Sequence, residues 1–135
     1  MRILAIDYGA RRSGLAWTDP LRIIATGLGT VDTPQLEARI RSLIGSGEVT
    51  ELVLGYPVRM DGSDSHVTEA IRELAERLRT AYPQVPVHFQ DEQQSSRRAS
   101  EAMIAGGVRK KQRRDRLLIN EVSAVLILQD YMDRM

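Results

Sequence analysis

The chain has 135 residues, of which 42% are hydrophobic and 27% charged, with a formal net charge of +1 and no cysteine. That length suffices for one domain, residues 1–135, with a real core. The missing cysteine excludes disulfides, thiolate catalysis and Cys-ligated zinc or iron–sulfur sites, and an aromatic content of 4% argues against binding dominated by base stacking.

The sequence opens on Met1 to Ile6, a short apolar run that reads as a strand buried on both faces, and it ends in Asp7. Ser13 to Thr18 reads as its hairpin partner, and Ile23 to Val31 as a third strand loosened by glycine. Thr33 and Pro34 have the look of an N-cap and first helical position, and Leu36, Ile40, Leu43 and Ile44 form one apolar helix face. Glu51 to Leu54 is the next buried strand, stopped by Gly55-Tyr56-Pro57 and followed by a polar loop from Met60 to Ser65. A helix is expected from His66 to about Thr80, with Val67, Ile71, Leu74 and Leu78 inward, and then a strand from Val85 to Phe89. Ser95 or Ser96 can cap a helix running to about Ala105, which Gly106-Gly107 ends. The last helix is expected over Asn120 to Met132, with Val122, Val125, Leu126 and Leu128 among its apolar positions. Three hairpin-linked strands followed by alternating helices and strands predict an α/β domain, a mixed sheet covered on both faces. No apolar run approaches the roughly 20 residues that span a bilayer. The first residues read as a strand rather than a secretion signal, so a soluble, cytoplasmic protein is expected.

Six of the eight residues from Arg109 to Arg116 are basic. So much like charge in one stretch repels itself unless an anionic partner relieves it, which points to nucleic acid. Arg109, Lys110, Lys111, Arg113 and Arg114 are the candidate backbone contacts there, and Arg11, Arg12, Arg97 and Arg98 are further candidates for phosphate. Asp7 sits in Asp-x-Gly at a strand end, where glycine lets the backbone approach a phosphate or a metal; a plain Asx hairpin turn is the bland alternative. Asp91 and Glu92 end another strand. A hard cation such as Mg²⁺ takes oxygen ligands, and carboxylates from separate strand ends can converge on one. Asp91 is read as a helix cap and Glu92 as functional. His66 and His88 are read as surface and strand residues, and Trp17 as core.

Together these residues resemble the YqgF/RuvX family, pre-16S rRNA nucleases and Holliday-junction-resolvase-like proteins with a ribonuclease-H-like fold. The resemblance rests on Ile6-Asp7-Tyr8-Gly9 with Arg11, Arg12 and Gly14; on Leu54-Gly55-Tyr56-Pro57 followed by Met60-Asp61-Gly62-Ser63; on Asp91-Glu92 with Ser95-Ser96; and on Ser123-Ala124-Val125-Leu126-Ile127-Leu128-Gln129. It implies a two-metal endonuclease using Mg²⁺ or Mn²⁺, with Asp7 bridging the ions and Glu92 holding one of them. The family usually has an aspartate three residues before the last of these motifs. Here that position is Asn120, which lends a carbonyl oxygen but no charge. Glu121 is adjacent but about 100° round a helix, and it is the expected stand-in; Asp115 is the other carboxylate nearby. The expected activity is 5′-end maturation of pre-16S rRNA. The alternatives are resolution of four-way DNA junctions, which needs a homodimer with paired sites, a nucleotide-binding relative of the actin and sugar-kinase superfamily, and a non-catalytic RNA-binding assembly factor.

Overall fold

The computed structural model describes residues 1–56, 66–91, 101 and 116–134. Five strands form one sheet in the order β3-β2-β1-β4-β5: β1 is Arg2–Asp7, β2 Arg12–Thr18, β3 Ala25–Asp32, β4 Val49–Tyr56 and β5 Val87–Asp91. The first three strands are antiparallel, and β4 runs parallel to both β1 and β5. Helices α1 (Leu36–Gly45), α2 (His66–Ala81) and α3 (Arg116–Asp133) complete the described structure.

Strand alternation builds two cores from one sheet. Leu4, Ile6, Leu15, Leu52 and Leu54 point to one face and pack with Leu36, Ile40 and Leu43 of α1 and Ile71, Leu74 and Leu78 of α2. Ile3, Ala5, Ala16 and Val53 point to the other, against Ala124, Ile127, Leu128 and Tyr131 of α3. The expected α/β domain, a mixed sheet with helices on both faces, is present.

Several boundaries differ from the expected ones, each for a local reason. Ile23 and Ile24 do not begin β3. The Asp19 carboxylate accepts hydrogen bonds from the Leu21, Ile23 and Ile24 amides, at 3.2, 2.7 and 2.7 Å, and this turns the chain before the strand can start. Those backbone bonds, Ile24's foremost, hold the Asp19 carboxyl below its ordinary pKa. Thr33 is not a helix cap. It opens a short 3-10 turn, Thr33–Gln35, with Pro34 in it, and its hydroxyl is used elsewhere. Val85 stays outside β5, because its amide bonds back to the Tyr82 carbonyl in the preceding turn. Trp17 is half-buried rather than core, with the Arg2 guanidinium 3.9 Å over its ring. The predicted helix over Ser95–Ala105 lies outside the described residues.

Helix α3 begins at Arg116, a turn earlier than the apolar pattern suggested, and of the four apolar positions expected to be inward only Leu128 is fully buried. Val122, Val125 and Leu126 are half-buried, whereas Ser123 and Ala124 are fully buried. Close packing of this helix on the sheet selects small side chains, as the glycines beneath it also show.

Candidate active site

The site is built around the end of β1. Asp7 follows Ile3 and Ala5 at the strand period of two, so it lies on the α3 side of the sheet. Beyond it the chain turns sharply into β2. Gly9 is required in this turn, because a Cβ there would meet the Arg12 carbonyl. Two hydroxyls fix the turn from outside. Thr33 Oγ1 donates to the Gly9 carbonyl at 2.6 Å and lies 2.9 Å from Ser13 Oγ, which accepts from the Gly9 amide at 3.4 Å. The Thr33 amide adds a bond to the Arg11 carbonyl at 2.9 Å. Neither Ser13 nor Thr33 was predicted as a site residue. In the sequence Ser13 reads as the start of a strand and Thr33 as a helix cap, and only the β2–β3 pairing brings them under the turn.

Asn120 comes to the same place. Asp7 pairs in register with Gly14, and a Cβ on Gly14 would strike the Asn120 carbonyl. The helix backbone is therefore seated directly on the residue opposite Asp7. Glu121 goes elsewhere. Its Oε2 accepts the Gly29 amide at 2.5 Å, and its side chain lies over Gly27. Gly29 adopts a φ of +89°, at an irregularity in which Leu28 is the extra residue between the Gly27–Ala16 and Gly29–Leu15 pairs. The carboxylate accepts an amide at that bulge. Strand β3 is two strands from β1, roughly 10 Å away. Glu121 is thus engaged with β3, not with the strand that carries Asp7.

Asp91 ends β5 opposite Tyr56. The Tyr56 ring packs against Phe89, with ring centroids 5.1 Å apart, on the α1/α2 side of the sheet. By alternation the exposed Asp91 shares that side, away from Asp7. Gly55, one residue before Tyr56, is buried on the α3 side. Glu92, Arg97, Arg98, Asp115 and the basic residues Arg109, Lys110, Lys111, Arg113 and Arg114 lie outside the described residues, as do Pro57 and the Met60–Ser65 loop. Arg11 and Arg12 are exposed at the Asp7 turn. With Ala10, Asp32 and Pro34 they line a groove of about 380 Å³, and Arg12 is 3.6 Å from Asp32.

Oxygen donors of the kinds these residues carry suit a hard divalent cation. Asp7 supplies a carboxylate at this end, the backbone of Asn120 sits level with it, and Ser123, which sequence reading overlooked, follows one turn down the helix. Ser123 is fully buried and its Oγ has no hydrogen-bond partner among the described residues. An unpaired buried hydroxyl costs about 1–3 kcal/mol, so its retention calls for a reason. Among the described residues no group of three His, Cys, Asp or Glu side chains converges on one point.

The opposite end of α3 is anchored by a separate polar cluster. Tyr131 donates to Glu51 at 2.5 Å, Arg22 pairs with the same carboxylate at 3.0 Å, and His88 Nε2 lies 3.6 Å from it. Burial and the Glu51 bond push the Tyr131 phenol up to about 12. His88 is thus the strand residue it was taken for, packed 5.4 Å from the Tyr131 ring.

A carboxylate at the end of the central strand, a helix backbone seated across from it and arginines on the adjoining turn invite comparison with known nucleases. The sequence matches the profile described as RuvX, Holliday junction resolvase, over residues 1–134. The chain belongs to the RuvX family. Its relatives include proteins whose provisional name is pre-16S rRNA nuclease. One from Porphyromonas gingivalis is 46% identical, covering 98% of this chain and 96% of its own. Others come from Phocaeicola vulgatus, 42% identical over 98% and 95% of the two chains, and Dictyoglomus thermophilum, 39% identical over 98% and 96%. Among solved structures, Thermus thermophilus RuvC in complex with a Holliday junction substrate superposes with a TM-score of 0.59 at 17% identity, covering 99% of this chain and 96% of RuvC. A second Thermus thermophilus RuvC structure gives 0.58 at 15% identity, with the same coverage. These superpositions show the ribonuclease-H-like fold, and membership of the family makes this RuvX chain a nuclease.

Proposed function

We propose that this RuvX chain is a metal-dependent endonuclease whose centre is Asp7, and that its substrate is the 5′ leader of pre-16S rRNA. The observation that carries the reading is the convergence at the end of β1: Asp7 on the α3 face, its register partner Gly14, and the Asn120 backbone seated on that glycine. The names of the relatives from Porphyromonas gingivalis and Phocaeicola vulgatus support the choice of substrate.

In the proposed site Asp7 and Glu92 hold a pair of Mg²⁺ or Mn²⁺ ions, and the Asn120 side-chain carbonyl completes the donor set without adding charge. When bound, the ions supply an activated water and charge stabilisation at the scissile phosphate. The work of the chain is to fix that arrangement. The Thr33–Ser13–Gly9 bonds hold the turn that aims Asp7, and Glu121 clamps the first turns of α3 to β3. Water adds to phosphorus, the bond to the 3′ oxygen breaks, and that oxygen leaves as a hydroxyl. Arg11 and Arg12 contact the phosphates flanking the cut, joined by Arg97 and Arg98. Arg109, Lys110, Lys111, Arg113 and Arg114 track the backbone farther out, with affinity that is salt-dependent and blind to sequence. Acting on pre-rRNA, the protein would work in the cytoplasm.

A second reading is resolution of four-way DNA junctions by a homodimer, which the family description and the junction-bound RuvC support. The deciding experiment incubates labelled pre-16S leader RNA and a synthetic four-way junction with wild type and Asp7→Asn, in Mg²⁺, Mn²⁺ or EDTA. Cation-dependent cutting of the leader by wild type alone is the expected result. Cutting of the junction alone, by a dimer, would transfer the activity to DNA. Cutting unchanged in EDTA or in Asp7→Asn would sink the proposed site.

A further inference from the structure

We infer that Ser123 is a positioning residue of the nuclease site, its hydroxyl donating to the Asp7 carboxylate while that carboxylate holds metal; this rests on the site proposed above.

The position of Ser123 follows from two fixed points on α3. At one end the Asn120 carbonyl sits on Gly14, level with Asp7. At the other, Tyr131 reaches Glu51, which pairs in register with Ile3 of β1. The helix therefore runs down the sheet from the Asp7 level to the Ile3 level and crosses from β2 and β3 toward β4. Ser123 lies about 4.5 Å below Asn120 along the axis, between the levels of Asp7 and Ala5. Around the axis it is about 200° from Glu121, whose side chain marks the β3 flank. That direction is toward β1 and β4, where Gly55 is buried and presents no side chain.

A helical serine commonly relieves a buried hydroxyl by bonding the carbonyl one turn back. Ser123 Oγ bonds neither that carbonyl nor any other described group, the Asp7 carboxylate included, and the residue is 0% exposed. Alanine would fill the same space and is the better helix former, so packing alone does not account for serine here. A hydroxyl donor does have work beside a metal-binding carboxylate. One oxygen faces the cation, and a donor on the other sets its orientation, as partners of metal ligands generally do.

The test titrates Mn²⁺ by calorimetry into the full-length wild-type, Ser123→Ala, Ser123→Cys and Asp7→Asn chains, and measures their melting temperatures in EDTA. Both Ser123 variants should melt in EDTA at or above the wild-type temperature, yet bind Mn²⁺ about 10-fold more weakly. Cleavage of the leader should fall in parallel. Unchanged Mn²⁺ affinity in Ser123→Ala would overturn the inference, and so would a lower melting temperature in EDTA, since the hydroxyl would then be serving the fold. Asp7→Asn separates the two levels. Loss of Mn²⁺ binding in Asp7→Asn but not in Ser123→Ala refutes only the role of Ser123, whereas retention in Asp7→Asn refutes the metal site itself.

Discussion

Gly14 has no side chain, yet it decides how α3 meets the sheet. A Cβ there would collide with the Asn120 carbonyl, and backbone cannot swing aside as a flexible side chain does. Gly14→Ala should therefore cost about 1–3 kcal/mol by displacing the helix, measured by urea unfolding, and it should lower cleavage as well, because Asn120 moves with the helix. Glu121 makes a complementary case. Its carboxylate takes the Gly29 amide at 2.5 Å, a charge-assisted bond worth about 1.5–3 kcal/mol. Glu121→Gln keeps an acceptor and should destabilise by less than Glu121→Ala. Cleavage by Glu121→Gln should fall less than tenfold, where Asp7→Asn abolishes it. A complete loss of cutting in Glu121→Gln, with the fold intact by circular dichroism, would return Glu121 to the metal set.

At the scale of elements, α3 is held at both ends by polar contacts and along its length by the buried side chains of Ala124, Ile127 and Leu128. The Tyr131 contact makes the lower end pH-dependent. A phenol raised to about 12 in the folded chain, against 10.0 when unfolded, stays protonated in the native state over that interval while the unfolded chain has lost its proton. Stability from this group is complete below pH 10 and declines as pH rises toward 12, by at most about 1.4 kcal/mol per unit. Tyr131→Phe should be less stable at pH 7 by about 1–2 kcal/mol. Its stability should fall less steeply than wild type between pH 10 and 12, as parallel denaturant melts would show. The start of α3 was misjudged in the sequence for an understandable reason. Arg116 closes a basic run that reads as loop, and the first turn of the helix contains no acidic residue to signal a start.

For the whole molecule, what matters is that β1, β4 and β5 run parallel. Their carboxyl-terminal ends therefore open on one edge of the sheet, where Asp7, Gly55 and Asp91 all lie. The Asp7 turn brings Arg11 and Arg12 to that edge and exposes both. If they contact phosphate, the double variant Arg11→Ala/Arg12→Ala should weaken leader binding and flatten its salt dependence. The slope of log K against log salt should drop by about 1–2 units, as read from filter binding between 50 and 200 mM salt. Binding that weakens with no change in slope would remove these arginines from the phosphate path.

The fold class and the order of elements were legible in the sequence because they depend on local periodicity. Apolar runs mark β1 and β4, and a 3.6-residue stripe marks α1 and α2. The turn after Asp7 was legible too, since a carboxylate followed by a turn glycine is a local pattern. What the sequence could not carry is anything set by contact between distant segments. The seating of Asn120 on Gly14, the diversion of Glu121 to the Gly29 amide and the Thr33 hydroxyl under the Asp7 turn join residues 20 to 106 positions apart. Each depends on strand register and on the height at which α3 crosses the sheet, and packing sets both.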